Sequence, residues 1–323
     1  MTGGAGSLRA PDRGRPGPGR EPVHEPSWPA HATRAVGIRV KRLIVTADDF
    51  GLCEPVNEAV EIAHREGILS TASLMVGGAA AADAVERARR LPGLRVGLHV
   101  VVVEDRPVLA PEQVSRLTDD RGYLSGRLVS SGVRFFFSPT ARRQLEAEIR
   151  AQFERFAATG LELDHVNAHN HMHLHPTVLG IVLRVGREYG LDAMRVPYEP
   201  PLISWRASGR GLAPKLAAAA GLAPWLAALR ARLRRHGIRA NDVVLGLGAS
   251  GAMDEATVLR LLELAPSAGV AEMYFHPATR RAPEIERTMP TYRHREELAA
   301  LTSREVRRAM ERLGIRPATF RDL

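Results

Sequence analysis

The sequence predicts an α/β protein built as an irregular (β/α) barrel of about seven parallel strands. Three observations support this fold class. Short β-rich runs alternate with longer helical patterns from residue 41 onward, an order that is typical of parallel sheets. The chain has 323 residues, 45% of them hydrophobic, which is enough for one large core. Polar residues follow several predicted strands, where parallel α/β folds gather their catalytic groups.

Strands and helices follow one another along the chain. The predicted strands are short runs rich in apolar and β-branched residues, at 42–46, 71–76, 95–100, 163–167, 193–196, 242–246 and 271–275. The predicted helices are about 55–65, an Ala/Arg-rich segment ending near 91, about 140–158 and 176–188. Pro55 suits the first turn of its helix, where the missing N–H has no helical partner to lose. Seven or so such units suit a closed barrel better than an open sheet.

Composition at the start of the chain gives the domain prediction. Residues 1–38 are rich in Gly, Pro and Arg without apolar periodicity, which predicts a disordered tail, and 39–323 are expected to form a single barrel domain. The tail lacks the continuous apolar core of a secretory signal, and no run reaches the about 18 apolar residues of a membrane span. The single cysteine, Cys53, excludes an internal disulfide framework and suits a reducing compartment. We therefore expect a cytoplasmic protein in which Cys53 is a packing residue.

Basic residues are concentrated in one segment. The net charge is +9, and residues 206–239 contain eight Arg and Lys with no Asp or Glu. No zinc finger, recognition helix or aromatic platform accompanies them, so nucleic acid is not expected as a partner. The segment has apolar residues at helical spacing with basic neighbours, namely Leu222, Trp225, Leu226, Leu229 and Leu233 with Arg230, Arg234 and Arg235. Two interpretations stay open, an ordinary barrel helix packed on the core or an interfacial helix in peripheral contact with an anionic membrane.

The stretch NAHNHMHLHP, residues 167–176, has a histidine at every second position. Short histidine tracts are weak metal signals by themselves, and a solvated histidine-rich turn is the alternative. Four imidazoles cannot all bind one ion. His169 lies nearest the end of the predicted strand and is the best candidate ligand, with His171 on the same side as the second candidate. His173 and His175 are expected to line the cleft or to orient the ligands.

Two other strand ends carry candidate ligands. TADDFG places Asp48 and Asp49 after the first strand, where Phe-Gly lets the chain turn. One carboxylate can bind a divalent cation while the other accepts a proton from the water that the cation activates; a helix N-cap is the alternative. His99, in GLH, is a third ligand or a satisfied core histidine. One Asp and two His leave open positions, as a catalytic metal site requires.

These motifs together resemble the YdjC/ChbG-like carbohydrate deacetylases. The resemblance rests on TADDFG, GLH, the His-x-His-x-His run and FHP, and it extends over about residues 41–320. VTADDFGL, GLHVVV, HVNAHNHMHLHP, MRVPYEP, SGAM and MYFHPAT are most similar to the hopanoid-biosynthesis-associated branch. The resemblance implies an irregular (β/α) barrel related to polysaccharide deacetylases, which removes the N-acetyl group from amino sugars with a divalent metal. It also implies Asp49, His99 and His169 as metal ligands and Asp48 as the base.

Amide hydrolysis suggests roles for two further residues. The reaction needs a nucleophile, a polarised carbonyl and a proton for the departing amine. His276, in YFHP, is predicted to protonate the amine, and Arg195 to hold Asp48 ionised. A strand-ending histidine and a surface ion pair are the alternatives. The expected metal is Mg²⁺ or Zn²⁺, and the expected substrate is an acetylated amino sugar or glycolipid, in particular one carried by a hopanoid; a homodimer stays open.

Two other functions stay open. A metal-dependent amidohydrolase or phosphodiesterase also uses His-x-His at a strand end, but there the histidine pair usually opens the first strand. Here an acid pair occupies that place. A non-catalytic metal- or lipid-binding protein would have no use for a base beside the ligands. The sequence therefore favours a metal-dependent N-deacetylase.

Overall fold

A computed structural model describes residues 1–2, 41–266 and 269–323. The predicted disordered tail, 1–38, lies outside these residues apart from its first two, so it stays a prediction. The described residues contain a seven-stranded sheet in which all pairings between strands are parallel. The strands are β1 Lys41–Phe50, β2 Thr71–Leu74, β3 Arg95–Val100, β4 Leu163–Ala168, β5 Val243–Val244, β6 Val270–Phe275 and β7 Ile315–Ala318.

The sheet curls around β1, its longest strand. One edge of β1 pairs with β6 from Arg42 to Ala47. The opposite edge pairs with β7 over 41–44 and with β2 from Thr46 onward. The other strands extend the sheet in the order β4-β3-β2-β1-β6-β5. The long central strand therefore brings its carboxyl end into the middle of the curled sheet.

Residues 192–198 connect the two ends of this sheet. The N–H of Val166, in β4, donates to the carbonyl of Ala193 at 3.0 Å, and the N–H of Val244, in β5, donates to the carbonyl of Tyr198 at 2.7 Å. These isolated hydrogen bonds bridge the edges of the sheet. The predicted irregular (β/α) barrel with parallel strands is confirmed.

Two strand predictions need correction. Residues 193–196 form only single-residue bridges, because the side chain of Asn241 accepts the N–H of Val196 at 2.8 Å, where a ladder would use a backbone carbonyl. Strand β7 was not predicted. It contains Pro317, which has no N–H to donate and so argues against a strand in any reading of the sequence.

Eleven α-helices are present in the described part of the chain. They are α1 Glu54–Glu66, α2 Ala81–Arg89, α3 Leu128–Phe137, α4 Pro139–Ala158, α5 Pro176–Glu188, α6 Pro201–Ser208, α7 Leu212–Arg235, α8 Glu255–Glu263, α9 Pro283–Thr288, α10 His294–Thr302 and α11 Arg304–Arg312. The predicted helix 176–188 has the same bounds as α5. Helix α4 begins where Ser138 accepts the N–H of Ala141 at 3.2 Å, a side-chain cap that satisfies a free donor of the first turn.

The basic segment 206–239 divides into two parts. In the C-terminal half of α7, Leu226, Leu229 and Leu233 are buried, so the barrel-helix interpretation holds for this stripe. Arg230 does not project to the solvent as an interfacial arginine would, because it donates to the carbonyls of Asn241 and Asp242 at 3.0 and 2.7 Å. Leu222 and the residues before it in α7 are largely exposed.

Within the described residues, α7 is the one helix long and apolar enough, by length and composition, to cross a membrane. Its 18-residue window has a mean hydropathy of 1.4 and includes Lys or Arg, so it is not a continuous run of about 18 apolar residues. The helix contains Pro224, and its C-terminal half packs against the barrel. Its apolar character therefore combines a core-facing half with an exposed half.

Candidate active site

The candidate site begins with an irregularity in β1. Asp48 and Asp49 are both buried, although successive residues of a strand normally face opposite sides. Asp49 has φ 61°, a left-handed conformation that interrupts the pleat, and the register of β1 against β2 shifts between Ala47 and Phe50. The predicted turn is therefore made by Asp49 itself, and Gly51, with φ 97°, continues it. Both carboxylates face the carboxyl end of the barrel as a result.

Asp49 is in contact with two histidines from neighbouring strands. Its Oδ1 lies 3.2 Å from Nε2 of His99, near the end of β3, and 3.2 Å from Nδ1 of His169, directly after β4. The two ring nitrogens are 3.4 Å apart. One potential ligand atom from each residue lies within 4.8 Å of the others, and all three residues are buried. The structure thus brings the three predicted ligands together.

Neighbouring side chains determine which ring nitrogens are free. Asn167 accepts from Nδ1 of His99 at 2.7 Å, and Glu104 accepts from Nε2 of His169 at 3.3 Å. Because these partners hold protons on those nitrogens, His99 Nε2 and His169 Nδ1 are the ring nitrogens that would offer lone pairs to a cation beside Asp49. This tautomer assignment follows from the partners, since a carboxylate or amide oxygen can only accept.

The donor set matches a divalent cation. Oδ2 of Asp49 is buried and has no hydrogen-bond partner among the described residues. A buried charged oxygen without a partner is costly. A cation between the carboxylate and the imidazoles would satisfy all three groups, and one Asp with two His suits Zn²⁺ while leaving positions for water and substrate.

Charges in the metal-free protein follow from these contacts. Burial opposes ionisation of Asp49, but the charges and hydrogen bonds of His169 and His99 together outweigh it and lower the pKa of Asp49 well below its ordinary range. Burial would also lower the pKa of His169, yet Asp49 and Glu104 raise it to about 10. Without a metal, His169 therefore carries a proton that metal binding must displace.

Asp48 is held by a buried arginine. Nη1 and Nη2 of Arg195 donate to the two oxygens of Asp48 at 2.6 and 3.0 Å, and Nη2 also donates to Glu272 at 2.7 Å. Burial alone would raise the pKa of Asp48, but the Arg195 guanidinium outweighs it and holds that pKa well below its ordinary value. The ring of Tyr274 lies 4.6 Å from the guanidinium carbon. The predicted Asp48–Arg195 contact is therefore present, and its arginine is fully buried, not at the surface.

A buried chain of polar side chains supports Asp48 and His99. Nδ2 of Asn167 donates to Asp48 at 3.0 Å and to Oγ of Ser73 at 2.9 Å. Ser73 contacts Nε2 of His165 at 3.0 Å, and His165 contacts Asp164 at 2.9 Å. Since Asp164 can only accept, His165 carries its proton on Nδ1 and receives a hydrogen bond from Ser73. Each hydrogen bond in this series therefore has a defined donor and a defined acceptor, and together they fix the orientation of the Asn167 amide.

His276 directly follows β6, and its ring packs edge-on against Tyr274 and Tyr292. Its N–H donates to Glu297 at 2.6 Å, and its Nδ1 is 4.0 Å from the same carboxylate and lacks a hydrogen bond within the described chain. Burial lowers the pKa of His276 to about 4, against the opposing charges of Asp49 and Asp48. Burial raises the pKa of Glu297 to about 7. His276 is therefore a neutral imidazole in the metal-free protein.

The histidine run is a 3₁₀ helix, His169–Leu174, and not an extended segment. Asn170 and His171 both have φ 51° in it, so residues two apart do not share a side. His171 accordingly lies away from Asp49, with Nε2 3.3 Å from the hydroxyl of Tyr274. This corrects the expectation that His169 and His171 share a side. His173 is fully buried, and the ring of His175 packs against Phe135 of α3. Neither residue belongs to the cluster of three candidate ligands.

Four functional residues were missed by sequence reasoning. They are Ser73, Glu104, Asn167 and Glu272, which orient the ligands and the aspartate pair. Asn167 begins the histidine stretch, and alternation along β4 could have placed it beside His169. Glu104 and Glu272 gave no local signal, because their partners are 65 and 77 positions away. Cys53 is buried, and burial raises the pKa of its thiol to about 11, as expected of a packing residue.

The fold and this polar cluster define an α/β-barrel protein with a candidate divalent-metal site at the carboxyl ends of its strands. The model of the YdjC-like protein family matches residues 42–312, and the chain belongs to this family. This confirms the family-level resemblance. The hopanoid-associated branch is a finer assignment that stays a prediction.

Individual relatives agree with this assignment. A carbohydrate deacetylase of Brevibacillus brevis is 39% identical over 163 residues, which cover 50% of this chain and 59% of that protein. A mouse carbohydrate deacetylase is 33% identical over 252 residues, covering 73% of this chain and 77% of the relative. A crystal structure from Enterococcus faecalis V583, described as a candidate cellobiose-phosphate cleavage protein, superposes with a TM-score of 0.66 at 25% identity. It covers 88% of this chain and 98% of that one.

Proposed function

We propose that this protein is a metal-dependent hydrolase that removes the N-acetyl group from an acetylated amino sugar. The observation that carries the proposal is the buried Asp49–His99–His169 cluster beside an ionised carboxylate, Asp48. The names of the relatives support the substrate class, since several are carbohydrate deacetylases. The aligned segment spans 59% and 56% of the first two of these relatives, so the activity itself is part of the proposal.

Asp49, His99 and His169 would hold the cation through one carboxylate and two imidazole nitrogens. A bound Mg²⁺ or Zn²⁺ supplies Lewis-acid polarisation of the acetyl carbonyl and lowers the pKa of water. Asn167 and Glu104 keep both imidazoles in the tautomer that a cation requires.

Asp48 would accept the proton of the attacking water. Arg195 and Asn167 keep its carboxylate ionised and fixed. Both donate to Oδ1, whereas Oδ2 accepts only from Nη1 of Arg195 and keeps a lone pair that can take the proton. Glu272 holds Arg195 from the other side, at 2.9 and 2.7 Å. The base therefore needs no rearrangement before it accepts a proton.

His276 would give a proton to the departing amine. Because its pKa is about 4 in the metal-free protein, His276 must first take up a proton from solvent in the working complex, and the proton accepted by Asp48 would return to solvent at the end of the cycle. Glu297, whose carboxylate is 4.0 Å from Nδ1 of His276, would stabilise the imidazolium that forms. Tyr274 and Tyr292 pack edge-on against the ring and limit its orientation.

The finer substrate proposal is an acetylated amino sugar carried by a lipid, in particular a hopanoid. It rests on the motif resemblance and on the basic, partly exposed segment 206–239, for which we propose peripheral contact with an anionic membrane at the cytoplasmic side. A homodimer stays open.

Acetate release tests the proposal directly. The full chain loaded with Zn²⁺ or Mg²⁺ should release acetate from an acetylated amino sugar, and the Asp48→Asn variant should not do so at a comparable rate. A parallel assay on bis(p-nitrophenyl) phosphate, a phosphodiester that releases p-nitrophenol when it is cleaved, tests the phosphodiesterase alternative. Cleavage of the diester without acetate release would overturn the proposal, and neither reaction would favour a non-catalytic metal-binding protein.

A further inference from the structure

Helix α3 has an exposed apolar face that the proposed reaction does not use. Nine large hydrophobic side chains are exposed among the described residues, and five of them belong to this ten-residue helix. Val129 is 83% exposed and Phe137 is 72% exposed; Leu128, Val133 and Phe136 complete the set. Contiguous exposed apolar residues on one short helix mark an interaction surface, whereas scattered ones do not.

This face contacts the segment that carries a candidate metal ligand. The rings of Phe135 and Phe136 meet the ring of His175 edge-on, with centroids 6.1 and 6.2 Å away. His175 directly follows the 3₁₀ helix that begins with His169, a candidate metal ligand. Those residues span at most about 20 Å even when fully extended. The apolar face of α3 is therefore attached to the segment that carries the ligand.

Helix α7 contacts the same segment. Nε1 of Trp225 donates to the carbonyl of Leu174 at 3.0 Å, one residue before His175. The half of α7 that precedes Trp225 exposes Leu216 and Leu222. Helices α3 and α7 thus both contact the end of the 3₁₀ helix, and each exposes large apolar side chains near it.

The charge around α7 indicates what covers this surface. Arg206, Arg210, Arg234 and Arg235 are exposed, and 206–239 contains no acidic residue. In a two-fold dimer through this surface, like charges would face each other, which disfavours a second copy as the occupant. A surface with aromatic and aliphatic side chains beside clustered arginines matches an anionic lipid bilayer.

We propose that the exposed faces of α3 and α7, hereafter the docking surface, bind the protein reversibly to an anionic lipid bilayer. Val129, Val133 and Phe137 enter the interface while the arginines of α6, α7 and their connection contact the headgroups. The inference that the protein docks on a bilayer depends only on the docking surface. The inference that docking brings the enzyme to a sugar carried by a lipid depends on the proposed function.

Vesicle co-sedimentation of the full chain tests this inference. The parent protein should bind vesicles of phosphatidylcholine with phosphatidylserine and should bind pure phosphatidylcholine at least about tenfold more weakly, with salt reducing binding. Two variants test the two halves of the surface, Val129→Ser/Phe137→Ser for α3 and Arg210→Glu/Arg234→Glu/Arg235→Glu for α7. Each should weaken binding to the anionic vesicles by about tenfold or more.

A matched control changes the same amount of charge elsewhere. Arg304, Arg308 and Arg312 are exposed on α11, which packs against α8 and β7, and their replacement by Glu should leave vesicle binding unchanged. Acetate release from a soluble acetylated amino sugar should be the same in the parent and in both docking-surface variants. This comparison separates loss of docking from loss of folding.

Each remaining outcome is decisive. A parent protein that releases acetate but binds no vesicles overturns the docking and leaves the proposed function standing. Vesicle binding without acetate release supports the docking and overturns the proposed function. If Val129→Ser/Phe137→Ser converts a dimer into a monomer in gel filtration, the surface is an interface between copies and the inference is wrong. If the α11 control weakens vesicle binding equally, the effect reflects net charge alone, and the inference is wrong.

Discussion

Asp49 takes a left-handed backbone conformation that costs a non-glycine residue about 1 kcal/mol, and Asp tolerates it better than most. The consequence is that two consecutive carboxylates reach the same buried space with different partners. Asp48 is bound by the buried guanidinium of Arg195, whereas Asp49 contacts the rings of His99 and His169. At the scale of single residues, this difference in partners determines the two proposed roles.

Replacing each aspartate separately should divide metal binding from turnover. Asp48→Asn should retain the metal and lower turnover by roughly 10² or more, the usual scale for loss of a general base. Glu272 still neutralises Arg195 in this variant, so the fold should survive. Asp49→Asn should lose the metal. Metal content by atomic emission and acetate release measure the two effects, and equal metal loss in both variants would contradict the division of roles.

Metal binding should release a proton from His169. Its pKa is raised to about 10 in the metal-free protein, so at neutral pH the imidazolium must deprotonate before the nitrogen can bind the cation. The apparent affinity should therefore rise with pH, by about tenfold per unit between about pH 6 and about pH 8. Calorimetry in two buffers of different ionisation enthalpy measures the released proton. Binding with no proton release would show that His169 is not a ligand.

The Asn167 amide should control the free nitrogen of His99. Ser73→Ala removes one of its two acceptors, so the amide loses part of what fixes its orientation, while Asp48 still holds the other hydrogen. Affinity for Zn²⁺ should fall by roughly 10-fold or more, as for other residues that orient metal ligands. Co²⁺ absorption spectra read the ligand geometry independently of activity. Thr71→Ala, a similarly buried hydroxyl that bonds Thr46, is the matched control and should leave the spectrum unchanged.

At the scale of elements, the 3₁₀ helix after β4 decides which histidine of the run faces Asp49. The left-handed backbone at Asn170 and His171, each with φ 51°, kinks this segment and separates His169 from His171. We expect His169→Ala to abolish metal retention and His171→Ala to preserve it, because His171 contacts Tyr274 instead. Metal content after gel filtration measures both. Full metal content in His169→Ala with loss in His171→Ala would reverse the assignment.

At the scale of the whole molecule, the core does not depend on the cation. The main hydrophobic cluster contains residues from β1 to β7, and the candidate ligands lie only at the carboxyl ends of the strands. Chelated protein should keep its far-UV circular dichroism and a cooperative thermal transition, with no activity. Metal at a hundredfold excess over its Kd should add about 2.7 kcal/mol to the free energy of unfolding. Loss of the transition on chelation would mean that the site is structural.

The sequence by itself determined the alternation of strands and helices, and hence the parallel barrel, because apolar periodicity is a local property of the backbone. It also determined which side chains stand at strand ends, so Asp48 and Arg195 could be paired across 147 positions. Prediction from the sequence failed at two places where the tertiary structure overrides a local sequence rule. Pro317 masked β7, and the 3₁₀ turn after β4 broke the alternation on which the choice of His171 depended.

Only the tertiary structure decided how these residues meet. The partners of Glu104, Asn167 and Glu272 come from distant strands and loops, and nothing near each residue in the chain specifies them. Both halves of α7 contain several Leu and Ala residues, yet one packs on the barrel and the other is exposed. The physical reason is common to both cases: burial and hydrogen-bond direction depend on distances between elements, and these are set when the sheet curls and closes.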